Sequence, residues 1–119
     1  MNQLNSNLIR EFFLDKYVFI GLTNLNNGFD APGIKYFSES DFDIVLSRVQ
    51  QLGLGIYGIE PWQNGEYYCA VIYEEFTDDP KDPNWYIKVF EDFKKSGQEL
   101  QYAASYFVPN EILAKDASN

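Results

Sequence analysis

The chain has no histidine among its 119 residues and only one cysteine, Cys69. The absence of histidine excludes the commonest general base, every triad that contains histidine and every zinc site that needs it. One cysteine cannot form a thiolate cluster, and without histidine the activation used by cysteine proteases is missing. We therefore predict a protein that is not an enzyme and holds no metal or other cofactor. Cys69 is predicted to be a small buried residue.

Long apolar runs are also missing. Residues 1–20 lack a basic segment followed by an apolar stretch, and Asp15 and Lys16 interrupt the apolar residues 12–22. This pattern predicts neither a signal peptide nor a membrane-spanning helix. A lone cysteine cannot form an intrachain disulfide, which favours a reducing compartment. The expected location is the cytoplasm.

Basic residues are scarce, since 9 Lys and Arg stand against 18 Asp and Glu, for a net charge of −9. This charge repels the phosphates of nucleic acids and anionic membrane surfaces, so direct binding to either is not expected. A basic partner is the natural complement, because opposite charges speed association. The simpler interpretation is that the negative charge only keeps the protein soluble.

Aromatic residues, by contrast, are abundant. Phe, Tyr and Trp make up 18% of the sequence, more than one small core needs. Some of them are therefore predicted to lie in a surface patch or pocket. The length fits one domain spanning residues 1–119, large enough for a core without disulfides or metals.

The amino-terminal part predicts a helix, a strand and a loop. The helix is capped by Asn5 or Ser6, residues 17–22 form the strand, and the Asn- and Gly-rich residues 23–33 form the loop. A loop of this length in a small domain is often functional. The apolar stripe predicted for the helix consists of Leu8, Ile9, Phe12 and Phe13.

Two further helices have clear boundaries. Ser38 and Asp41 resemble a capping box that begins one helix, and Gly53 ends it. Asp82 caps the next helix, which Gly97 ends. Pro83 occupies its first position, residues 100–108 predict a strand after it, and Pro109 starts a final short turn of helix. The buried stripes are predicted at Phe42, Val45, Leu46, Val49 and Leu52, and at Tyr86, Val89, Phe90 and Phe93.

Between these helices lies a predicted hairpin of residues 54–62 and 66–76. Asn64 and Gly65 suit a type I′ turn, in which both central residues need positive φ. Pro61 lacks an N–H, so its strand is at an edge or bulged there. The turn would pair Trp62 with Tyr67, Glu60 with Cys69, and Ile56 with Tyr73. The element order predicts an α+β fold, a small mixed or antiparallel sheet of about four strands with helices mainly on one face.

Motifs for chemistry are weak. Gly53, Gly55 and Gly58 do not open a helix as phosphate loops do, and we interpret Gly55 and Gly58 as places where an aromatic side chain crosses the strand. Asp78, Asp79 and Asp82 lack the spacing of a calcium loop. Glu60 lies among aromatic residues and is a candidate acid for a hydrolase, but the sequence identifies no second acid.

Charge and aromatic residues coincide in the hairpin. Residues 49–80 contain no Lys or Arg but six acids interleaved with Tyr and Trp. Such a surface suits a basic protein partner, with aromatic anchors and acidic steering, although a half-exposed acidic hairpin has the same composition. The predicted contacts are Glu60, Trp62, Tyr67, Glu74, Glu75, Asp78 and Asp79.

The chain contains the blocks GLGIYGIEPW at residues 53–62, NGEYY at 64–68, DPNWY at 82–86 and YAASY at 102–106. Together these four blocks resemble a family of bacterial immunity proteins from polymorphic toxin systems. The likeness covers residues 38–113. It implies a protein that binds a cognate toxin domain in the cytoplasm and neutralises it. A basic nuclease would suit the acidic charge. The alternative is a small-ligand or regulatory domain with an aromatic pocket around Glu60.

Overall fold

The computed structural model describes residues 3–118, which form an α+β fold with four α-helices and a four-stranded antiparallel sheet. The predicted fold class is therefore confirmed. The elements in chain order are α1 (Gln3–Tyr17), α2 (Glu39–Gln51), β1 (Gly55–Gln63), β2 (Glu66–Tyr67), β3 (Val71–Ile72), a 3-10 turn (Tyr73–Glu75), α3 (Pro83–Lys95), β4 (Gln101–Phe107) and α4 (Asn110–Ala117).

β1 is the central strand of the sheet. β4 pairs along one edge of β1, in a register that runs from Gly55↔Phe107 to Trp62↔Gln101. On the other edge, β2 lies beside the carboxyl end of β1 and β3 lies beside its middle. α3 connects β3 to β4 and thus carries the chain across the sheet.

The turn of the hairpin is the type I′ turn that the sequence predicts. Asn64 has a φ of 52° and Gly65 a φ of 77°, so both central residues are left-handed. The pairing of Trp62 with Tyr67 is also confirmed. Gly65 tolerates this φ because it has no side chain.

The rest of the predicted hairpin register is wrong. The Pro61 carbonyl accepts the N–H groups of both Tyr68 (3.1 Å) and Cys69 (3.4 Å), so two residues oppose one and the strand bulges there. Pro61 has no N–H to offer in return, which explains why the ladder breaks at this position. The predicted pairs Glu60 with Cys69 and Ile56 with Tyr73 therefore do not form, and the single strand 66–76 is split into β2, β3 and the 3-10 turn.

The caps of α2 and α3 follow the prediction closely. Ser38 Oγ accepts the Asp41 N–H at 3.2 Å, and Asp82 Oδ1 accepts the Asn84 N–H at 3.0 Å. Gly53, with a φ of 74°, ends α2 as predicted. The reciprocal half of the capping box is absent, because the Asp41 carboxylate accepts the Thr23 N–H instead.

α2 and α3 pack on one face of the sheet and form the core there. Phe42 of α2 stacks on Tyr102 of β4 with ring centroids 5.1 Å apart and an interplanar angle of 11°. Phe90 of α3 meets both rings edge-on. Such ring pairs contribute about 0.5–1.5 kcal/mol each beyond the area that they bury. The core residues on the sheet include Ile56 and Ile59, both fully buried.

α1 differs from its predicted form. It begins at Gln3, so Asn5 and Ser6 lie inside the helix and do not cap it. The predicted stripe is also wrong, because Leu8, Ile9 and Phe12 are exposed, Phe12 to 68%, while Phe13 is buried. With 15 residues, α1 is too short to cross a bilayer, and no other helix within residues 3–118 is long and apolar enough to do so.

The predicted strand at residues 17–22 does not form. Tyr17 ends α1, and the N–H groups of Val18 and Phe19 both donate to the Leu14 carbonyl, which closes the helix. Arg48 Nη1 donates to the carbonyl of Val18 and to that of residue 20, each at 2.8 Å, so these groups are not available to a sheet. The β-branched and aromatic residues of this segment are typical of a strand, so the prediction was wrong. The groups that bond to this segment lie far away in sequence.

Gly55 and Gly58 allow close backbone approach, although no aromatic side chain crosses them. A Cβ at Gly55 would lie 2.8 Å from the Pro80 carbonyl oxygen, and one at Gly58 would lie 3.3 Å from the Val71 carbonyl oxygen. The Ile56 N–H donates to the Pro80 carbonyl at 3.0 Å, so the segment before α3 runs directly against β1. The closest neighbour of each glycine is therefore a backbone carbonyl and not an aromatic side chain, which corrects the predicted role of both glycines.

Candidate functional site

The sheet has an outer face that points away from α2 and α3. Successive side chains of a strand alternate between faces, so Glu60 and Trp62 lie opposite the core residue Ile59. The register places the outward residues of the three neighbouring strands beside them. The outer face thus consists of Gly58, Glu60 and Trp62 on β1, Ala103 and Ser105 on β4, Tyr67 on β2 and Ile72 on β3.

A covering loop, residues 24–36, lies over the carboxyl half of this face. Tyr36 is fully buried there, with its ring centroid 5.4 Å from that of Trp62. Phe29 packs against both rings, at 4.9 Å from Tyr36 and 5.4 Å from Trp62. The rings of Phe29 and Tyr36 cover one side of Trp62, which is half-buried.

Two asparagines give the covering loop its shape. Asn24 Oδ1 accepts the N–H groups of Asn26 and Tyr36. Asn26 Nδ2 donates to the carbonyls of Ala31 (3.1 Å) and Ile34 (2.8 Å). Asparagine suits such turns because its side chain bonds the nearby backbone. The loop predicted at residues 23–33 is therefore confirmed as irregular, and its own side chains hold it in one shape.

The Tyr36 hydroxyl lies between two carboxylates. It is 2.6 Å from Asp30 Oδ2 and 3.1 Å from Glu60 Oε2. Burial, followed by the hydrogen bonds to Asp30 and Glu60, raises the pKa of Tyr36 well above its ordinary value, so the phenol keeps its proton. One O–H can donate only one proton, and the closer Asp30 is the better acceptor. Glu60 therefore keeps much of its capacity to accept hydrogen bonds.

The second acid near Glu60 was not identified from the sequence. Asp30 and Glu60 are 30 residues apart, and only the fold of the covering loop brings Asp30 to the sheet. The alternation of Tyr36 with the core residue Phe37, which bridges to Tyr102 of β4, is the signal that was available. It indicates an extended crossing at the sheet edge, with Tyr36 on the outer side. The Tyr36 hydroxyl lies within hydrogen-bond distance of both acids.

The aromatic residues at the tip of the hairpin are partly open. Tyr67 is 59% exposed, and its ring meets Trp62 edge-on at 6.2 Å. Tyr68, beside the bulge, is also exposed. Cys69 is half-buried, less than predicted, and burial raises the pKa of its thiol. The hairpin thus presents an exposed aromatic edge supported by Trp62.

The predicted acids form a second group, which we call the acidic edge: Glu74, Glu75, Asp78 and Asp79. All four are exposed. Glu75 accepts the Ile72 N–H and Asp79 accepts the Lys81 N–H, both at 2.9 Å, so these two carboxylates also shape the turn. Since Ile56 pairs with Pro80, the acidic edge lies near the amino end of β1.

The seven predicted contact residues therefore divide into two groups along the length of β1. Glu60, Trp62 and Tyr67 lie toward the carboxyl end of β1 and the acidic edge lies toward its amino end. A strand rises about 3.3 Å per residue, so the groups are on the order of 20 Å apart. A protein surface spans this distance, whereas a small ligand does not.

The acids of residues 49–80 form no ion pair with a basic side chain of the described residues. Within residues 3–118, the ion pairs closer than 4 Å all involve acids outside residues 49–80. They join Lys16 to Asp116, Lys35 to Asp15, Lys88 to Asp92 and Lys94 to Glu91. The acids of the hairpin and the acidic edge are thus available to an external cation.

The described part of the chain contains no cluster of three or more potential ligands that could hold a metal ion. Asp79 and Asp82 each accept a backbone N–H two residues further on, as turn and cap residues do.

Comparison with protein-family models, curated proteins and solved structures found no match to this chain. The likeness to immunity proteins therefore rests on the sequence blocks quoted above.

Proposed function

We propose that the chain is an immunity protein, which binds a cognate bacterial toxin domain and neutralises it through an acidic, aromatic surface. One observation carries the proposal. Exposed aromatic rings and exposed acids that form no ion pair within the described chain lie together in residues 49–80, which hold no Lys or Arg. This combination supports binding to a basic protein surface.

The two groups of residues have different roles in this proposal. Tyr67, backed by Trp62, provides an apolar anchor with a polar tip, which is typical of residues that dominate binding energy. The acidic edge attracts the partner before contact and raises the association rate. If the toxin is a nuclease, these carboxylates would cover the basic surface that its phosphate substrate needs.

The first test is to sequence the gene next to that of this protein and, if it encodes a toxin-like domain, to express the two together. We expect the chain to restore growth of cells that express the toxin domain, and to co-purify with it.

The charge contribution is tested by the double variant Glu74→Lys with Asp78→Lys, since neither carboxylate accepts a hydrogen bond within residues 3–118. Opposite charges raise association rates by about tenfold or more, so we expect at least a tenfold slower association.

Glu11→Lys with Asp43→Lys is the matched control, because both acids are exposed, lie in α1 and α2, and change the net charge equally. The control should associate nearly as fast as the unaltered protein. Equal association of both double variants would remove the acidic edge from the proposal. A neighbouring gene of ordinary metabolism, with no toxin bound, would overturn the immunity function itself.

The second candidate is a small-ligand or regulatory domain with a pocket around Glu60. It is favoured by an open groove of about 350 Å³ on the outer face, which Glu60 lines. The aromatic rings near Glu60, however, pack on each other and fill the pocket that the sequence suggested. Binding of a metabolite from the host, lost in Glu60→Gln, would favour this candidate.

A further inference from the structure

The amino half of the outer face, which the covering loop leaves open, is a groove with a floor of small residues. Gly58, Ala103 and Ser105 are on neighbouring strands and supply this floor. Ile34 from the covering loop and Ile72 from β3, 48% exposed, stand at its sides. Glu60 lines the same groove, at the end that borders the part of the outer face covered by the loop. The groove is therefore mainly apolar, with the Ser105 hydroxyl in its floor and a carboxylate at one end.

The carboxylate at this end has no basic partner within the described chain. Lys35 is the closest basic residue in sequence to Tyr36, but its ammonium lies 3.0 Å from Asp15. The Tyr36 hydroxyl has a single proton and two carboxylates to serve. A cation at Glu60 would add the donor that this arrangement lacks, and buried or half-buried carboxylates favour charged donors.

We propose that this groove binds the side chain of a lysine from the partner protein. The four methylenes of lysine would lie over Gly58 and Ala103, and the ammonium would pair with Glu60. Lysine combines an apolar stem with a compact charge at its tip, which matches a mainly apolar channel that ends in one carboxylate. The inference rests on the proposed function to the extent that the occupant belongs to a basic protein.

An arginine side chain fits the groove less well. Its guanidinium carries five N–H donors in a flat fork, whereas Glu60 offers one free carboxylate edge between apolar walls. Donors left unpaired against Ile34 or Ile72 would weaken binding, because burial of an unsatisfied polar group is unfavourable. The ammonium has three donors, of which those not paired with Glu60 can remain in water.

The probe for the test is Nα-acetyl-lysine N-methylamide, titrated into the full chain at low salt and followed by backbone amide NMR. We expect shifts confined to residues of the groove, above all Gly58, Glu60, Ala103 and Ser105. Two matched probes isolate the ammonium: the Nε-acetylated form and the norleucine analogue, which ends in a methyl group. Each should bind at least about tenfold more weakly, as expected for the loss of a hydrogen bond to a charged group.

Two variants test the two ends of the groove separately. Glu60→Gln removes the charge and keeps the shape, and Ser105→Leu fills the floor and keeps the carboxylate. Both should weaken lysine binding about tenfold or more. Glu66→Gln is the control, because Glu66 is an exposed acid on the same hairpin that does not line the groove. The amide spectrum of each variant shows whether the fold is kept.

Equal binding of the norleucine probe, or unchanged lysine binding by a folded Glu60→Gln variant, would overturn the inference. So would equal losses in Glu60→Gln and Glu66→Gln, which would mean general charge attraction. This outcome is separable from the proposed function. If the chain neutralises a toxin but does not bind the lysine probe, the proposed function stands and the lysine-binding groove is wrong. If it binds the lysine probe but neutralises no toxin, only the lysine-binding groove stands.

Discussion

Tyr36, Tyr86 and Tyr102 are all fully buried, but their hydroxyl groups have different surroundings. The Tyr36 hydroxyl meets two carboxylates, while those of Tyr86 and Tyr102 have no hydrogen-bond partner within the described residues. A buried hydroxyl without a partner costs about 1–3 kcal/mol. The rings of Tyr86 and Tyr102 therefore stabilise the core by packing, and their hydroxyl groups oppose this gain.

Tyr86 leads to a prediction about alkaline pH. Burial, followed by the charge of Asp82, raises the pKa of Tyr86 to about 12 from the 10.0 of a free side chain. A raised pKa in the folded state means that the unfolded chain loses this proton first. The stability that the neutral phenol contributes is thus complete below pH 10 and is lost as the pH rises from about 10 to 12.

We expect Tyr86→Phe to weaken this loss. In urea unfolding between pH 10 and 12, the variant should lose about 1.4 kcal/mol less per pH unit than the unaltered protein, because one group no longer titrates on unfolding. At pH 7 it should be equally stable or more stable, since the unpaired hydroxyl is gone. Identical alkaline slopes for the two proteins would contradict the burial of this phenol.

At the scale of elements, the signals that predicted correctly are those that act within a few residues. Ser38, Asp82 and the Asn64-Gly65 turn bond their own neighbours or set their own φ, so the sequence around them determines the geometry. Gly53 ends α2 for the same reason. The predicted total of four strands agrees with the sheet by coincidence, since one predicted strand is absent and another is divided.

The predictions that were wrong concern residues whose bonding partners are distant in sequence. The strand predicted at residues 17–22 is a turn because Arg48, on α2, bonds its carbonyls. The hairpin register shifts at Pro61 because a bulge depends on both strands. In the candidate site, Glu60 was predicted from its aromatic neighbours in sequence, but Asp30 and Tyr36 reach it only through the covering loop.

Arg48 makes the link between α2 and the turn after α1 testable. Arg48→Met keeps the apolar stem but removes the donor to two carbonyls, for which we expect a loss of about 1–3 kcal/mol in the free energy of unfolding. Amide exchange at residues 18–22 should quicken more than exchange in the sheet. Arg10→Met is the comparison, because Arg10 donates to the Ser6 carbonyl within its own helix and to Asn110 at the surface, and should matter less. Uniform exchange changes across the chain would argue against a local role for Arg48.

At the scale of the whole molecule, charge and shape are arranged unevenly. Lys and Arg all lie outside residues 49–80, and the ion pairs within the described chain follow the same division. The sheet edge formed by the hairpin and the acidic edge therefore carries much of the uncompensated charge of −9. A field of this kind affects how fast a partner arrives more than how long it stays.

This uneven field predicts a particular response to salt. We expect the association rate with a basic toxin domain to fall by about tenfold or more from low to physiological ionic strength, with little change in the dissociation rate. Stopped-flow measurement over a salt series would show it. The Glu74→Lys and Asp78→Lys double variant should have a shallower dependence. A salt response confined to the dissociation rate would mean that the charges act within the contact instead.

The two tryptophans lie on opposite sides of the sheet. Trp85 is 3% exposed in the core, where its ring stacks on Phe76 at 6.0 Å, whereas Trp62 faces outward beside Tyr67. Indole emission depends on its surroundings, so one fluorophore follows unfolding and the other follows whatever docks on the hairpin. With Trp62→Phe or Trp85→Phe, the same protein becomes a dye-free sensor for either event.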